Sequence, residues 1–150
     1  MINDVILPTG TQYEISHGPW QAIVTEQGAT LRSLRYDGVD VVKSFNADQS
    51  PASSQGQQLL PWSNRIRDGH YTFNGVEQQL AVSEVDRHNA IHGLVAWSRW
   101  SLVEHTDTSV TQAIRIMARP GWPGTIDVHL THRLSDTGLA IEVTARNVGT

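Results

Sequence analysis

The chain has 150 residues, 39% of them apolar and 17% charged, with five Trp and a formal net charge of −4. That length and balance suffice for one domain with its own core and exclude a disordered chain, while the excess of acid over base excludes a nucleic-acid footprint. Cysteine is absent, so neither a disulfide framework nor thiolate chemistry is available, and stability has to come from packing and hydrogen bonds.

The opening MINDVILPTG has neither a basic n-region nor a sustained apolar run, and no stretch of the chain reaches about 18 consecutive apolar residues. A protein that is not exported, does not enter a membrane and works in the cytoplasm is the expectation. Short alternating stretches between turn signals then predict an all-β chain, because a half-buried strand points its side chains alternately in and out. Strands are expected over 13–16, 20–25 and 29–36, the last followed by Asp37-Gly38, a dipeptide that accepts the positive φ of a tight hairpin turn, and by a return strand over 39–42. Residues 43–58, rich in Ser, Gln, Asn, Asp, Ala and Pro, read as an exposed loop. Asp68-Gly69 and Asn74-Gly75 bracket a further hairpin, 70–73 into 76–80, and 85–90 reads as polar and irregular. Three longer strands close the chain, over 109–117, 125–134 and 139–147. In the middle one Ile126, Val128, Leu130 and Leu134 share one face, and Asp127, His129, Thr131 and Arg133 the other. His132 falls among the apolar side chains and is expected to be a hydrogen-bonded core residue. No stretch shows helical periodicity with caps, and there is no internal repeat.

Two groups of residues stand out chemically. Leu59-Leu60-Pro61-Trp62-Ser63-Asn64-Arg65-Ile66-Arg67-Asp68-Gly69 sets an Asn-Arg pair between a Pro-Trp and a turn. A guanidinium carries five donors in a rigid fork and keeps its proton, which suits it to the vicinal hydroxyls of a sugar or to a carboxylate. Equally, Arg65 or Arg67 can be a solvated charge or a partner of Asp68. The second group is His88-Asn89-Ala90-Ile91-His92-Gly93-Leu94, followed by Trp97 and Trp100. His88 and His92 have the spacing of the zinc motif HExxH, but that motif needs a helix and a Glu beside the first His, and here Asn89 takes that place in a segment with no helical signal. His129 and His132, three apart in a strand, point to opposite faces, so no metal is expected. Neither a phosphate-binding Gly-rich loop nor a Gly-x-Ser-x-Gly elbow is present. The five Trp can include a platform for a pyranose face, though core packing accounts for them as well.

Taken in order and spacing, Pro61-Trp62-Ser63-Asn64-Arg65-Ile66-Arg67-Asp68-Gly69, Asn89-Ala90-Ile91-His92-Gly93 and Pro120-Gly121-Trp122-Pro123-Gly124 resemble the aldose 1-epimerase (galactose mutarotase) family over nearly the whole chain. The resemblance implies an antiparallel β-supersandwich of the galactose mutarotase type, of which residues 1–150 form the N-terminal part of a single domain. It implies a cleft that binds free hexoses and interconverts their α and β anomers, with no cofactor. By the same resemblance the Arg of the Asn-Arg-Ile motif and the His of the Asn-x-x-His-Gly motif contact the sugar, which assigns substrate binding to Arg65 and His92. The family's general acid, a His in a Gly-x-His-Pro-Tyr-like segment, and its general base, a Glu nearer the C-terminus, have no counterpart in the chain and are expected downstream of it, so none of the catalytic residues is expected here. A non-catalytic carbohydrate-binding module on the same sandwich is the alternative, and a ligand-free structural sandwich a further one. The partner in the first two is a small sugar.

Overall fold

The computed structural model describes residues 5–149. Four strands, β1 (Gln12–His17), β2 (Trp20–Thr25), β3 (Leu31–Tyr36) and β4 (Val39–Asp40), pair antiparallel in chain order to make one sheet. The β3–β4 turn places both Asp37 and Gly38 at positive φ, +50° and +79°, the geometry whose twist matches the strands it joins. Then follow β5 (Arg65–Arg67), β6 (His70–Phe73), β7 (Val76–Gln79), a 3-10 turn over Val85–Arg87 and β8 (Asn89–Ile91), with β5 paired to β8 and β6 to β7. The second four-stranded sheet consists of β9 (Ser101–His105), β10 (Ser109–Ile116), β11 (Ile126–Ser135) and β12 (Gly138–Asn147), in the spatial order β12-β11-β10-β9. Among the described residues no helix is long and apolar enough to cross a membrane.

The two sheets face each other through the side chains that the alternation puts inward. Tyr13, Ile15, Ala22, Val24, Leu31 and Leu34 of the first sheet meet Val110 and Leu134 of the second. Each Leu or Val fully removed from water there is worth roughly 1.5–3 kcal/mol. A second cluster, Ala29, Val95, Trp100, Ile116, Val128 and Leu130, extends this core under the segment that carries the two sequence motifs, with Leu60, Leu94 and Trp122 packed against it. Trp100 is completely enclosed and donates its indole N–H to the Val95 carbonyl at 3.4 Å.

Most of the expected strands are present, and the departures have local causes. Strand β3 begins at Leu31 instead of residue 29, because Ala29 takes a left-handed φ of +45° in a turn closed by the Thr25 amide donating to the Thr30 carbonyl. The segment 85–90 splits into the 3-10 turn and the first two residues of β8. Strands β5, β8 and β9 carry no alternation that would announce them. His132 is buried as expected, but neither of its ring nitrogens has a hydrogen-bond partner among the described residues. It lies between Val110 of β10 and Ile141 of β12 on the inner face, with no polar group opposite it in either strand. On that same face Ile141 and Val143 of β12 stand 46% and 44% exposed.

Candidate functional site

Residues 60–67 and 89–94 are laced together by their backbones. In the β5–β8 ladder Arg65 opposes Ile91, Ile66 opposes Ala90 and Arg67 opposes Asn89. The lacing continues past the strand ends, where the His92 amide donates to the Asn64 carbonyl at 3.0 Å and the Leu94 amide to the Leu60 carbonyl at 2.7 Å. Asn64 and His92 both sit at φ +64°, so the two chains bend together at that rung. Gly93 makes the approach possible: a Cβ on it would lie 2.0 Å from the Leu60 carbonyl oxygen, and its φ is +72°. A separation of 27 positions along the chain thus becomes one step along a ladder.

Arg65 projects from this ladder with its side chain 39% exposed. Its Nε donates to Glu84 Oε2 at 2.7 Å and its Nη2 to Glu84 Oε1 at 2.8 Å, a two-pronged ion pair, while Nη1 donates to Asn64 Oδ1 at 3.2 Å. Glu84 is itself gripped from behind by Asn89, whose Nδ2 donates to Oε2 at 2.9 Å. The guanidinium of Arg65, and then the Asn89 amide, push the Glu84 carboxyl down to about 2, and Glu84 in turn raises the pKa of Arg65. Three of the five guanidinium N–H groups are therefore committed, and two remain for a ligand oxygen.

His92 is oriented from its other side. Its Nδ1 accepts the Asn64 amide proton at 3.1 Å. In the neutral ring that bond leaves the hydrogen on Nε2, so the free nitrogen of His92 is a donor. Arg65 and His92 are thus both tied to Asn64, the first through its side-chain oxygen and the second through its backbone amide, and this stretch of the ladder, where each keeps an uncommitted donor, is a donor edge. Arg67, by contrast, extends into solvent with its side chain 94% exposed and Asp68 3.9 Å away.

The third motif lies behind the first. Trp122 meets Trp62 with ring centroids 6.4 Å apart, and the turn that carries it packs on the β6–β7 hairpin. There Tyr71 Oη donates to the Gly121 carbonyl at 2.7 Å, and a Cβ at Gly121 would lie 2.2 Å from the Gln79 carbonyl oxygen. Tyr71, Phe73, Trp122, Pro123, Gly124, Ile126 and Asn147 line a depression of about 290 Å³ beside it. Sequence reasoning did not find Glu84. It stands 19 positions from Arg65 among singly scattered acids, and its one signal is that a half-enclosed guanidinium needs a counter-charge.

Known proteins resemble this chain over most of its length. The Escherichia coli (strain K12) protein YihR is 34% identical over 143 residues, which are 95% of this chain and 46% of YihR. YphB of the same organism is 27% identical over 101 residues, 67% of this chain and 34% of its own. Among solved structures, the aldose epimerase homologue from C. elegans superposes with a TM-score of 0.82 at 24% identity, covering 93% of this chain and 46% of that one. Galactose 1-epimerase from Lactobacillus acidophilus superposes with a TM-score of 0.73 at 19% identity, covering 88% and 42%. The chain spans about half the length of the relatives it matches. The sequence model of one family, aldose 1-epimerase, takes in residues 11–150 and with them all three motifs that build and back the donor edge, so the chain belongs to the aldose 1-epimerase family.

Proposed function

We propose that the protein is a mutarotase acting on a free hexose, and that residues 1–150 are the N-terminal part of its single sandwich domain and supply sugar-orienting donors. The observation that carries this reading is the donor edge: an Arg65 held by a two-pronged ion pair to Glu84 and a His92 whose neutral tautomer presents Nε2–H, both bonded to Asn64. Neutral polyols are recognised by such fixed donors aimed at hydroxyl and ring oxygens.

Anomer exchange needs the C1 hydroxyl to lose its proton while the ring oxygen gains one. The bond between C1 and the ring oxygen then opens, the aldehyde turns, and the ring recloses on the other face. Each positioned proton transfer contributes roughly 10²–10⁴ in rate. In this proposal Arg65 and His92 hold the pyranose and polarise its ring oxygen, and the acid His and base Glu belong to chain beyond Thr150. His92 is a poor candidate for the base, because accepting at Nε2 would require it to give up the tautomer that Asn64 imposes.

Polarimetry on freshly dissolved α-D-glucose and α-D-galactose tests the reading, with the complete open reading frame set beside the 150-residue chain. The complete protein is expected to accelerate mutarotation and the chain alone to bind hexose without turnover. Arg65→Ala or His92→Ala in the complete protein should lower kcat/KM by about 10²-fold, the usual cost of losing a preorganised donor. A complete protein that binds hexose but leaves mutarotation at the buffer rate would favour a carbohydrate-binding module instead.

A further inference from the structure

We infer that Glu84 and Asn89 are positioning residues for sugar binding, forming a relay in which Asn89 fixes Glu84 and Glu84 fixes the guanidinium of Arg65. The inference rests on the hexose-binding reading of Arg65 given above. It assigns work to two residues that contact no sugar in that reading.

Arg65 has four rotatable side-chain bonds and sits at the end of a three-residue strand with much of its length in water. Left alone it would sample many rotamers, and a ligand would have to freeze them on binding. Glu84 removes that freedom by engaging Nε and Nη2 together, which fixes the plane of the guanidinium as well as its position. Glu84 can do this because its own backbone is pinned. Its amide donates to the Asn89 carbonyl at 2.9 Å, the Asn89 amide donates to the Glu84 carbonyl at 3.2 Å, and the 3-10 turn between them closes the loop. Asn89 adds the side-chain contact to Oε2 and is itself buried. Asn89 also opposes Arg67 in the β5–β8 ladder, so the relay returns to the strand that carries Arg65. Glu84 has a second effect. Its negative charge offsets part of the positive charge of the two guanidinium groups near it, Arg65 at hydrogen-bond distance and Arg87 with Nη1 3.9 Å from Oε1, while leaving two Arg65 N–H groups free to donate to a ligand oxygen.

Two measurements test the relay. The first needs no sugar: in the complete protein the Arg65 Nε–H should give a resolved, ordered nitrogen–proton NMR signal. Glu84→Ala should render it mobile, and Asn89→Ala should loosen it partly. The second is a double-mutant cycle on hexose KM in the complete protein. Glu84→Ala alone should raise KM by about tenfold, in line with the cost of ordering a long side chain, with a smaller change in kcat. In an Arg65→Ala background the same substitution should change KM by less than about twofold, because its effect runs through a side chain no longer present. Glu84→Gln, which keeps one acceptor for Arg65, should recover part of the loss. Equal effects of Glu84→Ala in both backgrounds, or an Arg65 signal unchanged by it, would overturn the relay. If Arg65→Ala leaves hexose KM unchanged, the sugar-site reading falls and takes the relay's role in binding with it. An Arg65→Ala effect without a Glu84→Ala effect sinks the relay alone.

Discussion

Replacing His132 by Leu should abolish a specific acid sensitivity of the fold. The ring is fully enclosed on the inner face of β11, neither nitrogen has a partner among the described residues, and desolvation alone pushes its pKa from 6.5 down to about 4. The sign follows from which state takes the proton. Above about pH 6.5 neither folded nor unfolded chain binds it and the full stability is present. As pH falls from there toward about 4, the unfolded chain protonates while the folded one resists, so stability is lost; below about 4 both are protonated and the loss levels off. At 1.36 kcal/mol per pH unit the complete loss is roughly 3 kcal/mol, of which about 2 kcal/mol has gone by pH 5. The carboxyls of Glu26, Asp40 and Asp127, held low chiefly by the Thr11 amide, Arg35 and Arg115 respectively, begin to lose their contributions only further down the scale. Reversible urea unfolding at about pH 7 and about pH 5 is the assay. The wild-type chain should lose about 2 kcal/mol more than His132→Leu across that interval, whatever the offset between them at neutral pH. Equal losses in the two proteins would refute the claim that this imidazole is buried and neutral.

Gly93→Ala should cost at least about 2 kcal/mol in unfolding free energy, since it combines a strained positive φ with a collision against the Leu60 carbonyl, and thermal denaturation reads it directly. Arg67→Ala should leave both the melting curve and hexose binding within about 0.5 kcal/mol of wild type, as its side chain extends into solvent; isothermal calorimetry showing a tenfold weaker hexose affinity would move the site. The 150-residue chain should self-associate through β12, which among the described strands pairs only with β11 and leaves Ile141 and Val143 half-exposed. Val143→Lys should shift its size-exclusion profile toward the monomer, and an unchanged profile would mean that another surface is responsible.

Strands that alternate apolar with polar residues, or that are framed by hairpin dipeptides, were legible in the sequence whether or not they are buried, as β6 and the largely exposed β12 show; strands with neither signal were not. The predicted bounds coincide with β2 and β6, and the long strands β10, β11 and β12 are each found within a residue or two of their predicted ends. Strand β9 escaped because Ser101-Leu102-Val103-Glu104-His105 sets its two apolar residues side by side, leaving no alternation to read. Strands β5 and β8 escaped because three residues are too few for a period, and because their pairing is enforced by backbone bonds on either side of them. For the site, Arg65 and His92 were reachable only through the ordered motifs. Nothing in their spacing says that a left-handed bend at Asn64 and another at His92 will coincide. The missing partner of His132 was invisible for a related reason: alternation shows that a side chain points inward, not what it meets there.

The lacing of residues 60–67 to 89–94 also determines where this protein can change length. A residue inserted between Leu60 and Arg65, or between Ile91 and Leu94, would slide Asn64 past His92 and dismantle the donor edge. The tip of the intervening β6–β7 hairpin is under no such constraint, since a Cβ at Gly75 would meet nothing within 4 Å. Relatives, and engineered versions, can therefore lengthen or decorate the chain at Asn74-Gly75 while the spacing within each laced segment stays fixed. A peptide tag or a fluorescent reporter placed at that tip would leave the register of the site unaltered.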